Sequence, residues 1–310
     1  MVKIFLKIMQ KIKVLILGAT GMAGSMIEKV LSTDRSISLG VSIRTNSDSN
    51  YFLGKGYNIH HFDVKTDIPF FAKNYDYIIN CIGAIPSVTT SPDDFIKINT
   101  VFPRELAKNC KNSKIIHLTT DCVFDNRQLE ENNEMSADLS RDFYAHSKHL
   151  GEVVAENVLN LRCSIIGPER KTQNSFLERF IRDFTHKGWS NVYWNGITTY
   201  HLAQIIKGII TKDGFFSGCH HIIPNGGLTR FDMMNVLNEF NWGKVKKDIK
   251  SEESPLTLNR KLTTLNPIRN AMLWLDAGYS APPNFTTMIC ELHKAFWKLG
   301  YAKERGLKET

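Results

Sequence analysis

The chain has 310 residues, of which 42% are hydrophobic and 23% charged, and its formal net charge at pH 7 is +8. These proportions are typical of a globular protein and exclude a disordered or fibrous chain. The lysines are spread along the sequence, which argues against nucleic-acid binding, whereas the positive excess suits a small anionic ligand.

The cysteine spacing and the hydropathy pattern exclude several classes of protein. The six cysteines are scattered, without a C-x-x-C pair, so we expect no metal site and a reducing compartment. No window reaches the roughly 18 consecutive apolar residues of a membrane-spanning helix. Residues 1–12 alternate lysines with apolar residues and are expected to form an N-terminal extension, either a strand or a leader. We therefore expect a cytoplasmic protein without a membrane partner.

From Lys13 onward, buried strand patterns alternate with helical patterns. This alternation predicts an α/β fold with a doubly wound parallel sheet, because crossovers between parallel strands are right-handed. Strands are predicted at 14–17, 37–43, 57–62, 75–82, 114–119 and 158–163, and helices at 22–31, 92–109, 143–157 and 198–210.

The pattern loosens after Gly167, where aromatic residues, Asn and Gly become frequent. We therefore predict a nucleotide-binding domain over 13–167, to which 198–212 returns. A smaller, interleaved substrate lobe is predicted from 168–197 and 213–310.

A glycine-rich segment, Gly18-Ala19-Thr20-Gly21-Met22-Ala23-Gly24, follows the first strand and opens the first helix. A dinucleotide pyrophosphate needs this arrangement, because glycines permit close backbone approach and the helix start offers free N–H groups. A simple packing turn is the alternative, and the position after the first strand argues against it. The sequence therefore predicts a Rossmann domain whose cofactor-binding residues are Gly18, Thr20, Gly21, Met22 and Gly24.

The end of the second strand bears on which nicotinamide cofactor is bound. It reads Ser42-Ile43-Arg44 and lacks the acidic residue that holds the ribose of NAD. Arg44, with Ser42, matches the 2′-phosphate of NADPH instead. NADPH is therefore the expected cofactor, with NADH left open because Arg44 is also explained as an exposed loop residue. Asp63, after the third strand, is expected either to accept from the adenine amine or to cap a turn.

Tyr144 and Lys148 are four residues apart and hence lie on one face of a helix. The ordinary tyrosine pKa of about 10 is too high for proton transfer at neutral pH, and a neighbouring ammonium group lowers it. The strand end Leu118-Thr119-Thr120-Asp121 precedes this pair and offers hydroxyl groups. Together with the glycine motif, the pair predicts a nicotinamide-dependent oxidoreductase.

With these motifs the sequence resembles the extended short-chain dehydrogenase/reductases, and among them the dTDP-4-dehydrorhamnose reductases. The likeness covers residue 13 to about 210 well and the remainder more loosely. That family carries S-T-D-Y-V-F where this chain reads T-T-D-C-V-F at 119–124. The Y-x-x-x-K follows, and the family's L-R-T-S is matched by Leu161-Arg162-Cys163-Ser164.

The resemblance implies reduction of the C4 carbonyl of a nucleotide-linked sugar, a UDP- or dTDP-linked 4-keto-6-deoxyhexose whose 2-acetamido form stays open. Tyr144 would donate the proton to the carbonyl oxygen and Thr120 would orient that oxygen. Lys148 would hold the nicotinamide ribose and lower the tyrosine pKa. Further cofactor contacts are implied for Asn80, Gly83 and Asn99.

Cys122 replaces the tyrosine of the family motif and leaves a second activity open. The related 4,6-dehydratases need an Asp-Glu pair, which Asp121-Cys122 does not provide, so dehydration is disfavoured. GDP-fucose synthase has a cysteine at this position, and its likeness implies a bifunctional epimerase/4-reductase in which Cys122 exchanges protons beside the ketone. Its partner histidine is absent from 171–174, so Lys171 or the nicotinamide would have to supply the positive field.

Two functions outside the reductase class are also compatible with a Rossmann domain. A regulatory, non-catalytic NADPH-binding Rossmann protein would be expected to lack Tyr144 or Lys148, and this chain has both. A sugar-nucleotide 4-epimerase would hold NAD tightly through purification. The segment 194–198 is expected near the substrate, and a homodimer stays open.

Overall fold

The fold is that of a computed structural model, which describes residues 11–67, 69–127, 130–137, 139–171, 174–183, 185–242 and 246–308, without the side chains at 185 and 186. Residues 1–10 of the predicted N-terminal extension lie outside the described residues. So do residues 172 and 173 of the segment that would carry a histidine partner of Cys122.

The central feature is a seven-stranded sheet in the order β11-β6-β5-β4-β1-β2-β3, in which every neighbouring pair is parallel. The strand order reverses between β1 and β4, and ligands of doubly wound sheets bind outside the strand ends at such a reversal. The strands are β1 (Ile12–Leu17), β2 (Ile37–Ile43), β3 (Asn58–His61), β4 (Tyr77–Asn80), β5 (Lys114–Thr119), β6 (Val158–Arg162) and β11 (Gly218–His221).

Helices cover both faces of the sheet, as the alternating pattern predicted. The predicted bounds of the first helix, the second strand and the fifth strand agree with the structure. The helices are α1 (Met22–Leu31), α2 (Pro92–Phe95), α3 (Phe102–Asn109), α4 (Phe143–Leu150), α5 (Phe176–Arg182), α6 (Thr199–Thr211), α7 (Arg230–Asn238), α8 (Pro267–Asp276), α9 (Phe285–Lys298) and α10 (Tyr301–Glu304).

Two predicted helices differ from the structure. The helix predicted at 92–109 contains a π-helical stretch, Ile96–Val101, between α2 and α3. The helix predicted at 143–157 ends at Leu150. The following residue, Gly151, packs so tightly against this π stretch that a Cβ atom there would lie 1.8 Å from the carbonyl oxygen of Asn99. The chain leaves the helix at this contact.

The C-terminal lobe contains the smaller strands and differs in extent from the predicted one. Its three-stranded sheet has the order β12-β9-β14, and β8 with β13 and β7 with β10 form two parallel pairs. These strands are β7 (Ile165–Ile166), β8 (Thr185–Trp189), β9 (Val192–Trp194), β10 (Ile197–Thr198), β12 (Leu228–Thr229), β13 (Asp248–Glu252) and β14 (Leu258–Arg260). The lobe boundary predicted at 213 is wrong for β11, which pairs with β6 of the main sheet.

The C-terminal helices also return to the nucleotide-binding domain. The Tyr301 hydroxyl lies 2.7 Å from Ser25 Oγ on α1, and Lys29 Nζ donates to the carbonyl of Leu299 at 2.7 Å and to Glu304 Oε1 at 2.7 Å. One hydrophobic core accordingly includes residues of α1, α6 and α9. None of the helices within the described ranges is long and apolar enough to cross a membrane.

Candidate active site

The glycine segment forms a tight cradle where β1 ends beside β4. Gly18 has a φ of 77°, a left-handed conformation that favours glycine, and its carbonyl accepts from Gly21 N at 3.1 Å. A Cβ atom at Gly24 would lie 2.2 Å from Gly18 O, so no larger residue fits there. Thr20 and Met22 flank the exposed Gly21 at the start of α1. This backbone geometry fits the close approach of a dinucleotide pyrophosphate.

Of the residues predicted to lie near the adenosine part of the cofactor, two make hydrogen bonds within the protein and one is exposed. Ser42 is buried, and its Oγ accepts from Gly18 N at 3.0 Å, so it stabilises the glycine cradle, which is a role the sequence did not predict. Arg44 follows β2 and is exposed. Asp63 Oδ1 accepts from Lys65 N at 2.9 Å, and Asp63 N donates to Asp67 Oδ2 at 2.8 Å. Of the two predicted roles of Asp63, this geometry is that of the turn cap.

Asn80 and Asn99 fix the loop that follows β4. Asn80 Oδ1 accepts from Ile82 N at 3.1 Å, and its Nδ2 lies 3.1 Å from His117 Nδ1. The buried Asn99 accepts from Ala84 N at 2.8 Å and donates to Ala84 O at 3.0 Å. Both side chains therefore hold the loop after β4 in place through hydrogen bonds to its backbone.

Thr120 and Tyr144 come together at the end of β5. Thr120 caps a short helical turn, and its Oγ1 accepts from Cys122 N at 3.2 Å. Burial raises the pKa of Tyr144 and the nearby Cys122 raises it further, whereas hydrogen bonding to Thr120 acts in the opposite direction. The net shift of this pKa is upward. That Lys148 lowers the pKa of Tyr144 stays a prediction.

Lys148 is buried beside the loop that follows β4. Its Nζ donates to Leu118 O at 3.1 Å, and a Cβ atom at Gly83 would lie 3.2 Å from this nitrogen. Gly83 thus makes room for the lysine. Burial lowers the pKa of Lys148 to about 8, and the negative charge of Glu152 opposes this change. The ammonium form therefore predominates at neutral pH.

Glu152 and Arg162 form an ion pair that the sequence analysis did not predict. Arg162 Nε lies 2.7 Å from Glu152 Oε1 and Nη2 lies 2.6 Å from Oε2, while Thr119 Oγ1 donates to Oε1 at 2.9 Å. Burial alone would raise the pKa of Glu152, but the hydrogen bonds from Arg162 and His149 outweigh it and hold the pKa at about 2. No helical spacing pointed to this pair, because Glu152 lies beyond the end of α4 and Arg162 lies on β6.

Arg260 enters the site from the C-terminal lobe, and the sequence analysis missed it. Its Nε lies 2.9 Å from Asp121 Oδ2, and its Nη2 lies 2.7 Å from the same oxygen and 3.2 Å from Cys122 Sγ. Burial raises the pKa of Cys122 and Asp121 adds to this effect, while Arg260 opposes it. The predicted field from Lys171 is wrong, because Lys171 forms an ion pair with Asp48 and Arg260 is the cation beside the thiol.

A cavity of about 120 Å³ extends from Arg260 and is lined by Ser164, Phe176, Trp194 and Arg230, among others. The guanidinium of Arg230 lies 4.4 Å from the ring centroid of Phe176 and 5.1 Å from that of Trp189. Burial, with repulsion from Arg179 and Arg260, lowers the pKa of Arg230 to about 10, so it stays charged at neutral pH. It has no hydrogen bond or ion pair with any described residue, which leaves a cation available to an anionic ligand.

The sequence profile of the NAD dependent epimerase/dehydratase family matches residues 14–201, more than half of the chain. The chain belongs to this family. It is therefore an NAD(P)-dependent enzyme of the extended short-chain dehydrogenase/reductase type, as the resemblance implied. No curated protein matches the sequence.

Solved structures similar to this family member include reductases and an epimerase. The dTDP-4-dehydrorhamnose reductase of Clostridium acetobutylicum shares 20% identity, with 93% of this chain and 100% of that chain covered and a TM-score of 0.65. The dTDP-4-dehydrorhamnose reductase of Yersinia enterocolitica shares 19% identity, with 92% of this chain and 100% of that chain covered and a TM-score of 0.69. The UDP-N-acetylglucosamine 4-epimerase of Methanobrevibacter ruminantium shares 16% identity, with 94% of this chain and 99% of that chain covered and a TM-score of 0.73. At these identities the likeness establishes the common fold.

Proposed function

We propose that this family member uses NADPH to reduce the 4-keto group of a UDP- or dTDP-linked 4-keto-6-deoxyhexose, including its 2-acetamido form. The observation that carries the proposal is a cavity lined by two arginines, of which Arg260 contacts Cys122 beside the reacting groups and Arg230 has no ion pair with any described residue. Arg260 joins the cavity to Thr120 and Tyr144 through Asp121 and Cys122, and Arg230 lines the cavity without a hydrogen bond to any described residue. A sugar joined to a diphosphate has the matching polarity.

The glycine cradle supports a dinucleotide cofactor, and the exposed Arg44 supports NADPH. When bound, NADPH supplies the hydride to the carbonyl carbon. Lys148 remains an ammonium group at neutral pH and would hold the nicotinamide ribose beside the Gly83 turn. Ser42, Asn80 and Asn99 keep the cradle and its wall in place through their backbone hydrogen bonds.

Tyr144 supplies the proton. Because burial raises its pKa, the phenol keeps the proton until the substrate oxygen becomes strongly basic, and the transfer is then downhill. Thr120 hydrogen-bonds the same oxygen and fixes its direction. Arg230 would bind the diphosphate, since a guanidinium fork matches phosphate oxygens.

The test is a panel of UDP- and dTDP-linked 4-keto sugars, with consumption of NADPH as the readout. Arg230→Met should raise KM for the active sugar about tenfold or more, with a much smaller effect on NADPH affinity. Arg269→Met is the matched control, since Arg269 also stacks on an aromatic ring, Phe216 at 4.1 Å, but does not line this cavity. Turnover of none of the sugars, or equal effects of the two variants, would contradict the proposal.

A second candidate function, epimerisation before reduction, is favoured by the contact of Arg260 Nη2 with Cys122 Sγ. The thiol lies two residues from Thr120 and thus near the carbon next to the ketone. In deuterated water, a bifunctional enzyme would place deuterium on a ring carbon beside C4, and Cys122→Ser would reduce the ketone without that label. Reduction by the unmodified enzyme without carbon-bound deuterium would leave a simple ketoreductase.

A further inference from the structure

The ion pair of Asp121 and Arg260 has a position that bears on which sugars the enzyme accepts. Arg260 comes from the C-terminal lobe, and its Nη2 lies 3.2 Å from Cys122 Sγ, close to the proposed reacting groups. Because C3 and C5 flank the ketone of a bound sugar, substituents on these carbons come within reach of this arginine. The charge that such a substituent meets depends on Asp121.

Asp121 cancels that charge at close range. Its carboxylate is only 1% exposed and accepts from both Nε and Nη2 of Arg260 through one oxygen. Among the described residues, Nη1 has no hydrogen-bond partner, so the pair still offers N–H donors to a neutral oxygen. A carboxylate at this place would lose its water without gaining a net positive partner, and it would be repelled by Asp121.

The backbone that follows Arg260 is held in place by hydrogen bonds. The Asn195 side chain binds both backbone groups of Leu262, with Leu262 N to Oδ1 at 2.8 Å and Nδ2 to Leu262 O at 2.7 Å. Thr263 N donates to Asn132 O at 2.9 Å, and Glu134 accepts from Thr264 Oγ1 at 2.6 Å. This network fixes the backbone on the C-terminal side of Arg260, and the ion pair with Asp121 directs the guanidinium.

We propose, resting on the proposed function, that the Asp121–Arg260 pair is a specificity device that admits nucleotide sugars with an uncharged hexose and rejects those with a C6 carboxylate. The pair binds the sugar through hydrogen bonds from Nη1 of Arg260 to uncharged sugar oxygens. Replacing Asp121 by a neutral residue leaves Arg260 as a free cation beside the sugar. Replacing Arg260 leaves Asp121 as a free anion. The two changes should shift sugar preference in opposite directions.

The experiment measures dissociation constants by calorimetry for UDP-glucose and UDP-glucuronate, with dTDP-glucose and dTDP-glucuronate as a second pair. The wild-type protein should bind the glucose form more tightly. Asp121→Asn should improve glucuronate binding relative to glucose by about tenfold or more, because an uncompensated guanidinium pairs strongly with a carboxylate. Arg260→Gln should widen the preference for glucose, so a failure of one variant to fold leaves the other as the test.

The control is Glu131→Gln, which removes an acid paired with the next residue, Lys261, outside the site. This variant should leave the glucose-to-glucuronate ratio unchanged. A wild-type preference for glucuronate, or a ratio that stays constant in both Asp121→Asn and Arg260→Gln, would overturn the specificity role alone. Binding of none of the four nucleotide sugars to the wild-type protein would overturn this inference, whereas turnover of the 4-keto sugars decides the proposed function separately.

Discussion

Nε and Nη2 of Arg162 both donate to the carboxylate of Glu152, at 2.7 and 2.6 Å. The negative charge of this carboxylate raises the pKa of the buried Lys148. Glu152 is thus a positioning residue that keeps the lysine protonated. Activity that needs the Lys148 ammonium should decline as the pH rises through about 8.

We expect Glu152→Gln to move this alkaline decline of kcat/KM to lower pH by on the order of one unit, because the charge that raises the lysine pKa is gone. Thr119→Val is the matched control, since it removes a hydrogen bond to Glu152 but keeps the charge. An equal shift in both variants would mean that geometry rather than charge is responsible.

The same pair should contribute to stability in a pH-dependent way. The pKa of Glu152 in the folded protein is about 2, below its ordinary 4.5, so its stabilising contribution is present above pH 4.5 and is lost as the pH falls towards 2. The difference in free energy of unfolding between the wild type and Glu152→Gln should therefore be largest near neutral pH and shrink in acid. Denaturant titrations at several pH values measure it, and a difference that grows in acid would contradict the assignment.

Tyr144→Phe should reduce turnover by about a hundredfold or more, because the transferable proton is lost while the ring still packs against Phe95. NADPH affinity should stay within a few-fold of the wild-type value. Stopped-flow and cofactor-binding measurements separate these effects, and wild-type turnover in the variant would exclude Tyr144 as the proton donor.

Arg44→Ala should weaken NADPH binding by about tenfold or more and NADH binding much less, since only NADPH carries the extra phosphate. Arg35→Ala is a suitable control, because Arg35 is also exposed but precedes β2, whereas Arg44 follows it. Equal losses for the two cofactors would show that Arg44 does not contact the phosphate.

Gly24→Ala should destabilise the fold by about 1–3 kcal/mol and weaken cofactor binding, because the new Cβ would overlap Gly18 O. At Gly21 a Cβ atom would lie 3.4 Å from the same oxygen, an ordinary contact. Gly21→Ala should therefore unfold at nearly the wild-type temperature. Thermal unfolding of the two variants compares them, and similar melting temperatures would argue against a steric requirement at Gly24.

Local patterns were sufficient for six strands of the sheet and for its first helix, because most of these strands contain apolar runs and the glycine motif marks the turn. They missed β11, which has the sequence Gly-Cys-His-His and no apolar run. They did not predict that α4 ends before Gly151, whose backbone packs against Asn99, a residue far away in sequence. Arg260 lies 139 residues after its partner Asp121. No local spacing predicts that meeting, since it depends on how the C-terminal lobe packs.

The hydrogen bond between Ser25 and Tyr301 joins helix α1 to a residue 276 positions further along the chain. During synthesis from the N-terminus, α1 therefore lacks some of its buried partners until Tyr301 and Glu304 have left the ribosome. Contacts of such long sequence separation slow folding. A nascent chain that ends before α10 should bind a dinucleotide weakly, and the domain that contains α1 should mature only after α10 has been synthesised.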